Sequence, residues 1–324
     1  MSANEPTAPP DSFETVAVVG AGLMGHGIGV DFAASGLEVT LYDANEDVLA
    51  DSESQVRSAL RTLERHDRIE GVDSALDRIS WHESLREAVS DADLVVEAVV
   101  ENIDIKRTVF ESIDEHAPAD AVLSTNTSGL SITEISETVS DPSRVVGTHW
   151  FNPPYIVPLV EVVRGEHTSE AVMDTTYDFL ESCEKTAVRV EKDIKGFIGN
   201  RIQLAMAYEA FSLLDQGVAS AEEIDKAVKA GFGFRLPSLG IFEKVDQSGL
   251  EVHHEVEKYL MPDLDRGTDP NPVLEERLEN GYTGVRSGRG VYDWGDTDLE
   301  EMYEERDDAL LAFLETYEET ERDR

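Results

Sequence analysis

Three glycines near the start of the chain have the spacing that suits a phosphate. The segment VAVVGAGLMGHGI places Gly20, Gly22 and Gly25 in the order G-x-G-x-x-G, after a predicted strand and at the start of a predicted helix. Gly20 permits a tight turn, Gly22 lets the backbone approach a pyrophosphate, and Gly25 lets helix and strand pack closely. We include Leu23 and Met24 in this predicted binding segment. Alone, the spacing is equally typical of an ordinary strand-to-helix turn.

An acidic residue further along the chain favours the binding interpretation. Asp43 follows the next apolar run, EVTLY, 23 residues after Gly20. A carboxylate at this place can accept both hydroxyls of a ribose and repels a 2′-phosphate. The sequence therefore predicts dinucleotide binding, with NAD favoured over NADP.

A histidine and a glutamate lie in two neighbouring β-type runs of the segment THWFNPPYIVPLVEVV. If the runs pair as a hairpin with its tip at Tyr155, His149 and Glu161 face each other, because each is six residues from the tip. A carboxylate beside an imidazole fixes its tautomer and raises its basicity, which suits a general base. The alternative is a surface histidine and a solvated glutamate. We interpret the remaining histidines as surface residues: His26, His66, His82, His116, His167, His253 and His254.

Two neutral side chains offer further hydrogen bonds. Ser128 follows an apolar run in STNTSGLSI, and Asn200 opens a helical stretch in KGFIGNRIQ. Taken without other information, both residue types at these places are more typical of helix capping than of catalysis.

The elements that must position these residues alternate between apolar runs and helical stretches. Such alternation is typical of a parallel sheet covered on both faces. Pro153, Pro154 and Pro158 then interrupt the rhythm. We predict strands at 16–19, 38–42, 94–100, 121–125, 144–151 and 157–163, a further possible strand at 186–190, and helices at 47–65, 105–116 and 168–183.

Beyond Gly196 the signals are mostly helical. Gly217 suits the C-terminal cap of one helix, and Ser220 with Glu223 forms the N-terminal signature of the next. Residues 296–324 resemble a solvated amphipathic helix. We therefore expect a flexible tail at 1–12, a Rossmann-type doubly wound α/β domain at 13–194, and an all-helical C-terminal domain at 195–324.

The composition excludes several classes of function. The chain has 27 Lys and Arg against 68 Asp and Glu, a net charge of −41 that would repel nucleic acids and anionic lipid. No apolar stretch is long enough to span a membrane, and the first residues lack signal-peptide features. Cys183 is the single cysteine, and no CxxC or HExxH spacing occurs. We expect a cytoplasmic protein without a metal site.

The basic residues are unusually distributed. Only eight are lysines against nineteen arginines, and the first lysine is Lys106. Acidic residues spread along the whole chain resemble the composition of a halophilic archaeal protein, because molar salt shortens the Debye length to about 3 Å and screens carboxylate repulsion. An acidic patch or tail is the alternative.

Seven motifs of the chain have the order and spacing of those in a known enzyme family. They are GAGLMGHGI, EAVVENIDIK, STNTSG, HWFNPP, LVEVV, GFIGNR and RSGRGVYDW. From about Val16 to Trp294 the chain resembles the L-3-hydroxyacyl-CoA dehydrogenases, which include the 3-hydroxybutyryl-CoA dehydrogenases of fatty-acid β-oxidation.

The resemblance implies specific roles. His149 would be the general base, Glu161 its orienting partner, and Ser128 and Asn200 hydrogen-bond donors to the substrate. The resemblance also implies an NAD cofactor, an acyl-CoA substrate, and a helical domain that forms a homodimer interface. The residues that it places around the NAD are Glu101, Lys106, Ser128, Asn152 and Arg286.

Some features depart from that pattern. The family commonly offers a Ser and a Lys to the CoA from the helix after the second strand, and Ala59 and His66 lie near those places here. NPPYIVPLVE and GFGFR resemble the group of lambda-crystallin, L-gulonate 3-dehydrogenase and carnitine dehydrogenase, whereas IFEKVDQSGLEV is closer to the acyl-CoA enzymes. A dehydrogenase of a free 3-hydroxy acid is therefore the second hypothesis, and a non-catalytic dinucleotide-binding protein is the third.

Overall fold

A computed structural model describes residues 12–322, which form two compact units that divide after Asn200. Apart from Ser12, the expected tail lies outside the described residues. The division falls slightly later than the expected boundary at 195. Phe197 is buried in the core of the first unit, and the backbone amides of Ile198 and Gly199 donate hydrogen bonds to Glu161 in that unit.

The first unit is built on one eight-stranded sheet with the order β3-β2-β1-β4-β5-β6-β7-β8. Strands β1 to β6 are parallel, β7 is antiparallel to β6, and β8 is parallel to β7. The order reverses between β1 and β4, which is the place where doubly wound folds bind ligands. The strands are β1 (Thr15–Val19), β2 (Glu38–Tyr42), β3 (Ile79–His82), β4 (Leu94–Glu97), β5 (Val122–Thr125), β6 (Val145–Trp150), β7 (Leu159–Val163) and β8 (Thr186–Val190).

The continuous apolar runs form the buried centre of this sheet. Strands β4, β5 and β6 are buried along their whole length, as expected for parallel strands covered by helices on both faces. Strand β3 was not predicted, because ISWH is short and mixes polar with apolar residues at the edge of the sheet.

In the described part of the first unit, seven α-helices flank the sheet. Asn45, Asn102 and Ser169 cap three of them with side-chain oxygens that accept backbone amide hydrogens. The helices are α1 (Gly25–Ala34), α2 (Glu46–Arg65), α3 (Val72–Leu76), α4 (Leu85–Val89), α5 (Ile103–His116), α6 (Ile132–Ser136) and α7 (Glu170–Ser182), and a 3₁₀ turn at Pro142–Arg144 precedes β6.

The second unit is mostly helical in its described part. Gly217 adopts φ 66°, and Ser220 accepts a hydrogen bond from the amide of Glu223, as their sequence signals predicted. The only extended pairs described there are isolated bridges that join Arg289 to Gly284 and Asp293. The helices are α8 (Gly199–Asp215), α9 (Ala221–Val228), α10 (Ile241–Ser248), α11 (Leu250–Leu260), α12 (Pro272–Glu279) and α13 (Leu299–Arg322), with a π turn at Lys229–Gly233 and a 3₁₀ turn at Val285–Ser287.

Residues 12–322 contain neither a membrane-spanning helix nor a cluster of metal ligands. No helix in this range has both the length and the apolar character needed to cross a membrane. No group of three His, Cys, Asp or Glu side chains in it could hold a metal ion. Cys183 is buried, and burial together with the nearby Asp31 carboxylate raises the pKa of its thiol to about 11.

Candidate active site

The predicted site residues of the first unit converge on one edge of the sheet. In parallel strands the carboxyl ends point the same way, so residues that follow them become neighbours. Gly20 follows β1, Asp43 follows β2, and Ser128 comes shortly after β5. His149 lies near the end of β6, which runs in the same direction.

The glycine turn has the shape that a pyrophosphate requires. Gly20 adopts φ 103°, and a Cβ atom there would lie 2.7 Å from the backbone of Ala98. A Cβ atom on Gly25 would collide with the carbonyl oxygen of Gly20. Beside Gly22, by contrast, no atom lies within 4 Å of the Cβ position. Two glycines therefore permit close packing, while the third faces open space that a ligand can enter.

Helix α1 begins at this turn without a side-chain cap. Met24 occupies the N-cap position and its side chain makes no capping hydrogen bond, while the amide of His26 donates to the carbonyl oxygen of Gly22 at 3.2 Å. The positive end of the helix dipole at this turn favours an anion. Leu23 is exposed beside them. Asp43 is held by two backbone amides, because Oδ2 accepts from Ala21 and Oδ1 accepts from Asn45, each at 2.9 Å. Its carboxylate oxygens keep further lone pairs for ribose hydroxyls.

A buried network lies behind the loop that follows β4. Lys106 is only 1% exposed, and its Nζ atom lies 2.7 Å from Oε1 of Glu97 and 3.5 Å from Oε2 of Glu101. The ammonium is therefore enclosed by protein acceptors, and a contact between Lys106 and NAD stays a prediction. Lys106 supports Glu101, which is partly exposed and accepts hydrogen bonds from Oγ1 of Thr127 and the amide of Ser128.

The predicted His–Glu pair is present. Strands β6 and β7 pair with His149 opposite Glu161, which is the register expected from a tip at Tyr155. Nδ1 of His149 lies 2.6 Å from Oε2 of Glu161, and both side chains are buried. Since an ionised carboxylate only accepts hydrogen bonds, Nδ1 carries the proton and Nε2 is left as an acceptor.

Glu161 is held in its ionised form. Burial by itself would raise the pKa of this carboxyl group, but hydrogen bonds from His149 and from the amides of Gly199 and Ile198 outweigh it and lower the pKa. The two amides lie 2.9 Å and 2.8 Å from Oε1. The imidazole also packs against the ring of Phe151, at 4.6 Å between centroids. These contacts fix both the tautomer and the orientation of His149.

Ser128 and Asn200 complete the group around the histidine. Nδ2 of Asn200 donates to the carbonyl oxygen of Ser128 at 3.0 Å and lies 3.4 Å from Nε2 of His149. Ser128 itself is exposed. The four residues predicted as catalytic therefore lie together in the first unit.

The last two residues predicted to contact the cofactor lie in different units. Asn152 is exposed in the loop after β6. Arg286 belongs to the 3₁₀ turn of the second unit, and its contact with NAD stays a prediction.

Sequence reasoning missed one residue that organises the site. Glu97 is fully buried and accepts from Lys106, from the amide of Val99 at 2.7 Å and from Oγ1 of Thr125 at 2.6 Å. An acid at the end of the otherwise apolar run LVVE was the available signal, because a buried charge requires partners.

A doubly wound sheet, an open glycine turn and an acid after β2 are the features of a dinucleotide-binding fold, and the His–Glu pair at the same edge of the sheet has the arrangement that suits a general base. The model of the 3-hydroxyacyl-CoA dehydrogenase NAD-binding domain matches residues 15–194, and that of the C-terminal domain of the same family matches residues 196–294. The chain belongs to the 3-hydroxyacyl-CoA dehydrogenase family, and NAD is its cofactor.

Relatives of several activities align along most of the chain. It is 33% identical over 297 residues to 5-formyl-3-hydroxy-2-methylpyridine 4-carboxylate 5-dehydrogenase of Mesorhizobium japonicum, covering 92% of this chain and 96% of that protein. It is 37% identical over 318 residues to L-carnitine dehydrogenase of Streptomyces coelicolor, with 94% and 95% covered. It is 34% identical over 286 residues to the mitochondrial hydroxyacyl-coenzyme A dehydrogenase of Homo sapiens, with 86% and 90% covered.

A solved structure supports the same family. The crystal structure of a 5-formyl-3-hydroxy-2-methylpyridine 4-carboxylic acid 5-dehydrogenase, an NAD+-dependent dismutase, superposes with a TM-score of 0.89 at 32% identity. The match covers 94% of this chain and 98% of the other. Family and cofactor are thereby shown, whereas the relatives differ in substrate.

Proposed function

We propose that the protein interconverts an L-3-hydroxyacyl-CoA and its 3-ketoacyl-CoA with NAD as the hydride acceptor. The observation that carries the proposal is the buried His149–Glu161 pair, whose free Nε2 atom lies beside Asn200 at the edge of the sheet that holds the glycine turn. In this arrangement one imidazole nitrogen is fixed by a carboxylate and the other is left as a proton acceptor, as a general base requires.

The residues of the chain divide the reaction between them. Nε2 of His149 takes the proton of the 3-hydroxyl group, and Glu161 stabilises the imidazolium that forms. Asn200 and Ser128 hold the substrate oxygens in place. NAD, when bound, accepts the hydride that leaves C3. The same groups run the reduction in reverse, with the imidazolium returning its proton to the carbonyl oxygen.

A basic face on α2 favours a substrate that carries phosphate. Arg57, Arg61 and Arg65 recur every four residues and therefore lie on one side of the helix, in a chain of net charge −41. Arg57 pairs with Glu53, and Arg61 is exposed. Arginine is well suited to bind phosphate through two parallel hydrogen bonds. We infer that Arg61 and Arg65 contact the phosphates of CoA.

A free hydroxy acid is the second candidate substrate. Ala59, near the place of a family CoA contact, is only 3% exposed and has no polar group to offer. His66 ends α2 and is half-buried. The likeness to L-carnitine dehydrogenases and to the pyridine-carboxylate dehydrogenase supports the same alternative, because those substrates contain no CoA.

One assay separates these candidates. NADH oxidation with acetoacetyl-CoA is measured beside NAD reduction with L-carnitine and with L-gulonate, all in concentrated KCl. Turnover only with acetoacetyl-CoA supports the acyl-CoA proposal, and turnover only with a free acid replaces it with the second candidate. Failure with all three, at measurable NAD binding, favours a different substrate or a non-catalytic role.

We infer that the protein works as a homodimer. The helical unit exposes large apolar side chains, including Phe234 at 82% and Phe242 at 85%. A large exposed apolar surface is typical of an obligate interface between subunits. Sedimentation equilibrium in concentrated KCl tests this, since a monomeric mass at micromolar concentration would contradict it.

A further inference from the structure

A buried ion pair lies outside the groups assigned to the chemistry. Lys185, just before β8, is 7% exposed, and Asp31 of α1 is 8% exposed. Nζ of Lys185 lies 2.5 Å from Oδ1 of Asp31, while Oδ2 of Asp31 is buried without a hydrogen-bond partner among the described residues. Removing two charges from water is costly, and one of the two carboxylate oxygens remains uncompensated. The pair therefore needs an explanation other than stability.

The ammonium group also contacts the loop that follows β6. Nζ of Lys185 donates to the carbonyl oxygen of Pro154 at 2.7 Å and lies 5.3 Å from the ring centroid of Trp150. Trp150 is the last residue of β6 and follows His149 directly. Lys185 therefore contacts residues on both sides of Asn152, the residue predicted to contact NAD.

Helix α1 approaches the same loop. A Cβ atom on Gly27 would lie 2.9 Å from Cδ of Pro154, so α1 and the loop are in direct contact where Gly27 lies. One turn further on, Asp31 holds Lys185, which in turn holds Pro154. This helix is also the one whose uncapped start faces the predicted pyrophosphate site. The contacts thus connect the two segments that must approach the cofactor together.

We propose that Lys185 is a positioning residue that fastens the 150–156 loop to α1 through Pro154, with Asp31 holding the lysine in place. The consequence is a fixed distance between the dinucleotide turn and the residues His149 and Asn152. The inference rests on the proposed role of this loop in the reaction, but not on the identity of the substrate.

Two variants, which remove the buried charges one after the other, separate an effect on the position of the loop from an effect on the stability of the protein. Burial raises the pKa of Asp31, an effect that Lys185 opposes. Lys185→Met therefore both releases Pro154 and leaves a buried acid without its partner. The double variant D31N/K185M removes that acid as well, so it should recover much of the stability while Pro154 stays released. If hydrogen exchange stays faster or NAD binding stays weaker in the double variant, the cause is the release of the loop and not the unpaired buried acid.

Two measurements report the loop without any substrate. The amides of Ile156 and Val157 donate to the carbonyl oxygen of Pro153 at 3.1 Å and 2.9 Å, so their hydrogen exchange follows the opening of the loop. We expect exchange in the peptide 150–158 to be about tenfold faster in K185M and in D31N/K185M. The dissociation constant of NAD, from fluorescence titration, should rise by about the same factor.

A second buried pair in the same unit provides the matched control. Arg144 pairs with Asp114 at 2.5 Å and donates to the carbonyl oxygen of Pro118 at 2.6 Å, which repeats the combination of carboxylate, cation and prolyl carbonyl. The variant D114N/R144M should keep wild-type exchange in 150–158 and wild-type NAD affinity. Wild-type exchange and NAD affinity in D31N/K185M would overturn the proposal. Equal acceleration in both double variants would also overturn it, since the effect would then be general loosening.

Discussion

The side-chain amide of Asn200 lies 3.4 Å from Nε2 of His149, although the two residues are 51 positions apart in the chain. Asn200 comes from the start of α8, and His149 from β6. Because Nδ1 of His149 is engaged by Glu161, Nε2 is the atom that would meet the substrate hydroxyl in the proposed reaction. The amide of Asn200 would then lie beside that hydroxyl.

Lowering the salt concentration should destabilise the protein. With a net charge of −41, carboxylate repulsion grows as the Debye length lengthens from about 3 Å in molar KCl to about 10 Å at 0.1 M. We expect the melting temperature, followed by circular dichroism, to fall across that range together with activity. A melting temperature that is independent of KCl would contradict the halophilic interpretation.

Replacing Asp43 should change the choice of cofactor. The variant D43S/A44R removes the acceptor for ribose hydroxyls and adds a cation for a 2′-phosphate, so the Kd of NAD should rise about 10- to 100-fold while that of NADP falls. Asp43 also accepts from the amide of Ala21, and Asp43→Asn controls for that contact because it keeps an acceptor oxygen. A wild-type protein that already prefers NADP would show the argument to be wrong.

Reversing the charges of Arg61 and Arg65 on α2 should weaken substrate binding and leave the other properties of the enzyme unchanged. If Arg61 and Arg65 bind phosphates of CoA, R61E/R65E should raise KM for acetoacetyl-CoA about 10- to 100-fold and leave kcat and NAD affinity unchanged. Arg86→Glu, an exposed charge reversal in α4, is the control. Equal KM values in all three proteins would remove the main support for an acyl-CoA substrate.

The sequence predicted well those parts of the fold that depend on local pattern. The apolar runs identified every strand except β3, whose four residues carry little pattern of their own. The register that opposes His149 and Glu161 followed from their equal separation from Tyr155, since side chains alternate along paired strands. The turn at Gly20 was recognisable because its glycines occur at fixed offsets.

Contacts between distant segments were not predictable in the same way. The ion pair of Lys106 with Glu97 joins α5 to the end of β4, and it was not predicted because no periodic pattern encodes it. The contact of Lys185 with Asp31 likewise joins opposite ends of the first unit. A single sequence carries no signal for such pairs beyond the rule that a buried charge needs a partner.

His26 was expected at the surface, but it is only 9% exposed, and its burial should make stability depend on pH. Burial lowers the pKa of its imidazole despite the hydrogen bond of Nδ1 with the carbonyl oxygen of Gly22, 2.8 Å away. The folded state therefore prefers neutral His26, and the unfolded chain binds the proton more readily. The contribution of neutral His26 to the free energy of unfolding is fully present above a pH of about 6.5, the pKa of histidine in the unfolded chain. It is lost as the pH falls through the lower pKa of His26 in the folded state.

We therefore expect wild-type stability to fall more steeply than that of His26→Gln as pH decreases from about 7 to 5. Urea unfolding in concentrated KCl at several pH values measures the difference. His254→Gln, which replaces an exposed imidazole, should follow the wild-type slope. Parallel pH curves for His26→Gln and wild type would show that His26 does not resist protonation.

Removing either member of the His149–Glu161 pair should slow the proposed reaction. If Glu161 orients His149 and stabilises its imidazolium, Glu161→Gln should lower kcat by about 100- to 10,000-fold with little change in NAD affinity. The side-chain oxygen of the introduced glutamine can still accept hydrogen bonds from the amides of Ile198 and Gly199, so we expect the local fold to be retained. His149→Gln should cause a loss of similar size, because it removes the base itself.

The double variant H149Q/E161Q decides whether the two residues act as one unit. Residues that serve a single step are not additive, so the double variant should be little slower than either single variant. NAD titration of all three variants is the control that separates lost chemistry from lost folding. Near-normal turnover in His149→Gln would refute the mechanism. Additive losses would mean that Glu161 acts elsewhere, for example by holding the Ile198 and Gly199 amides against β7 rather than by acting on the imidazole.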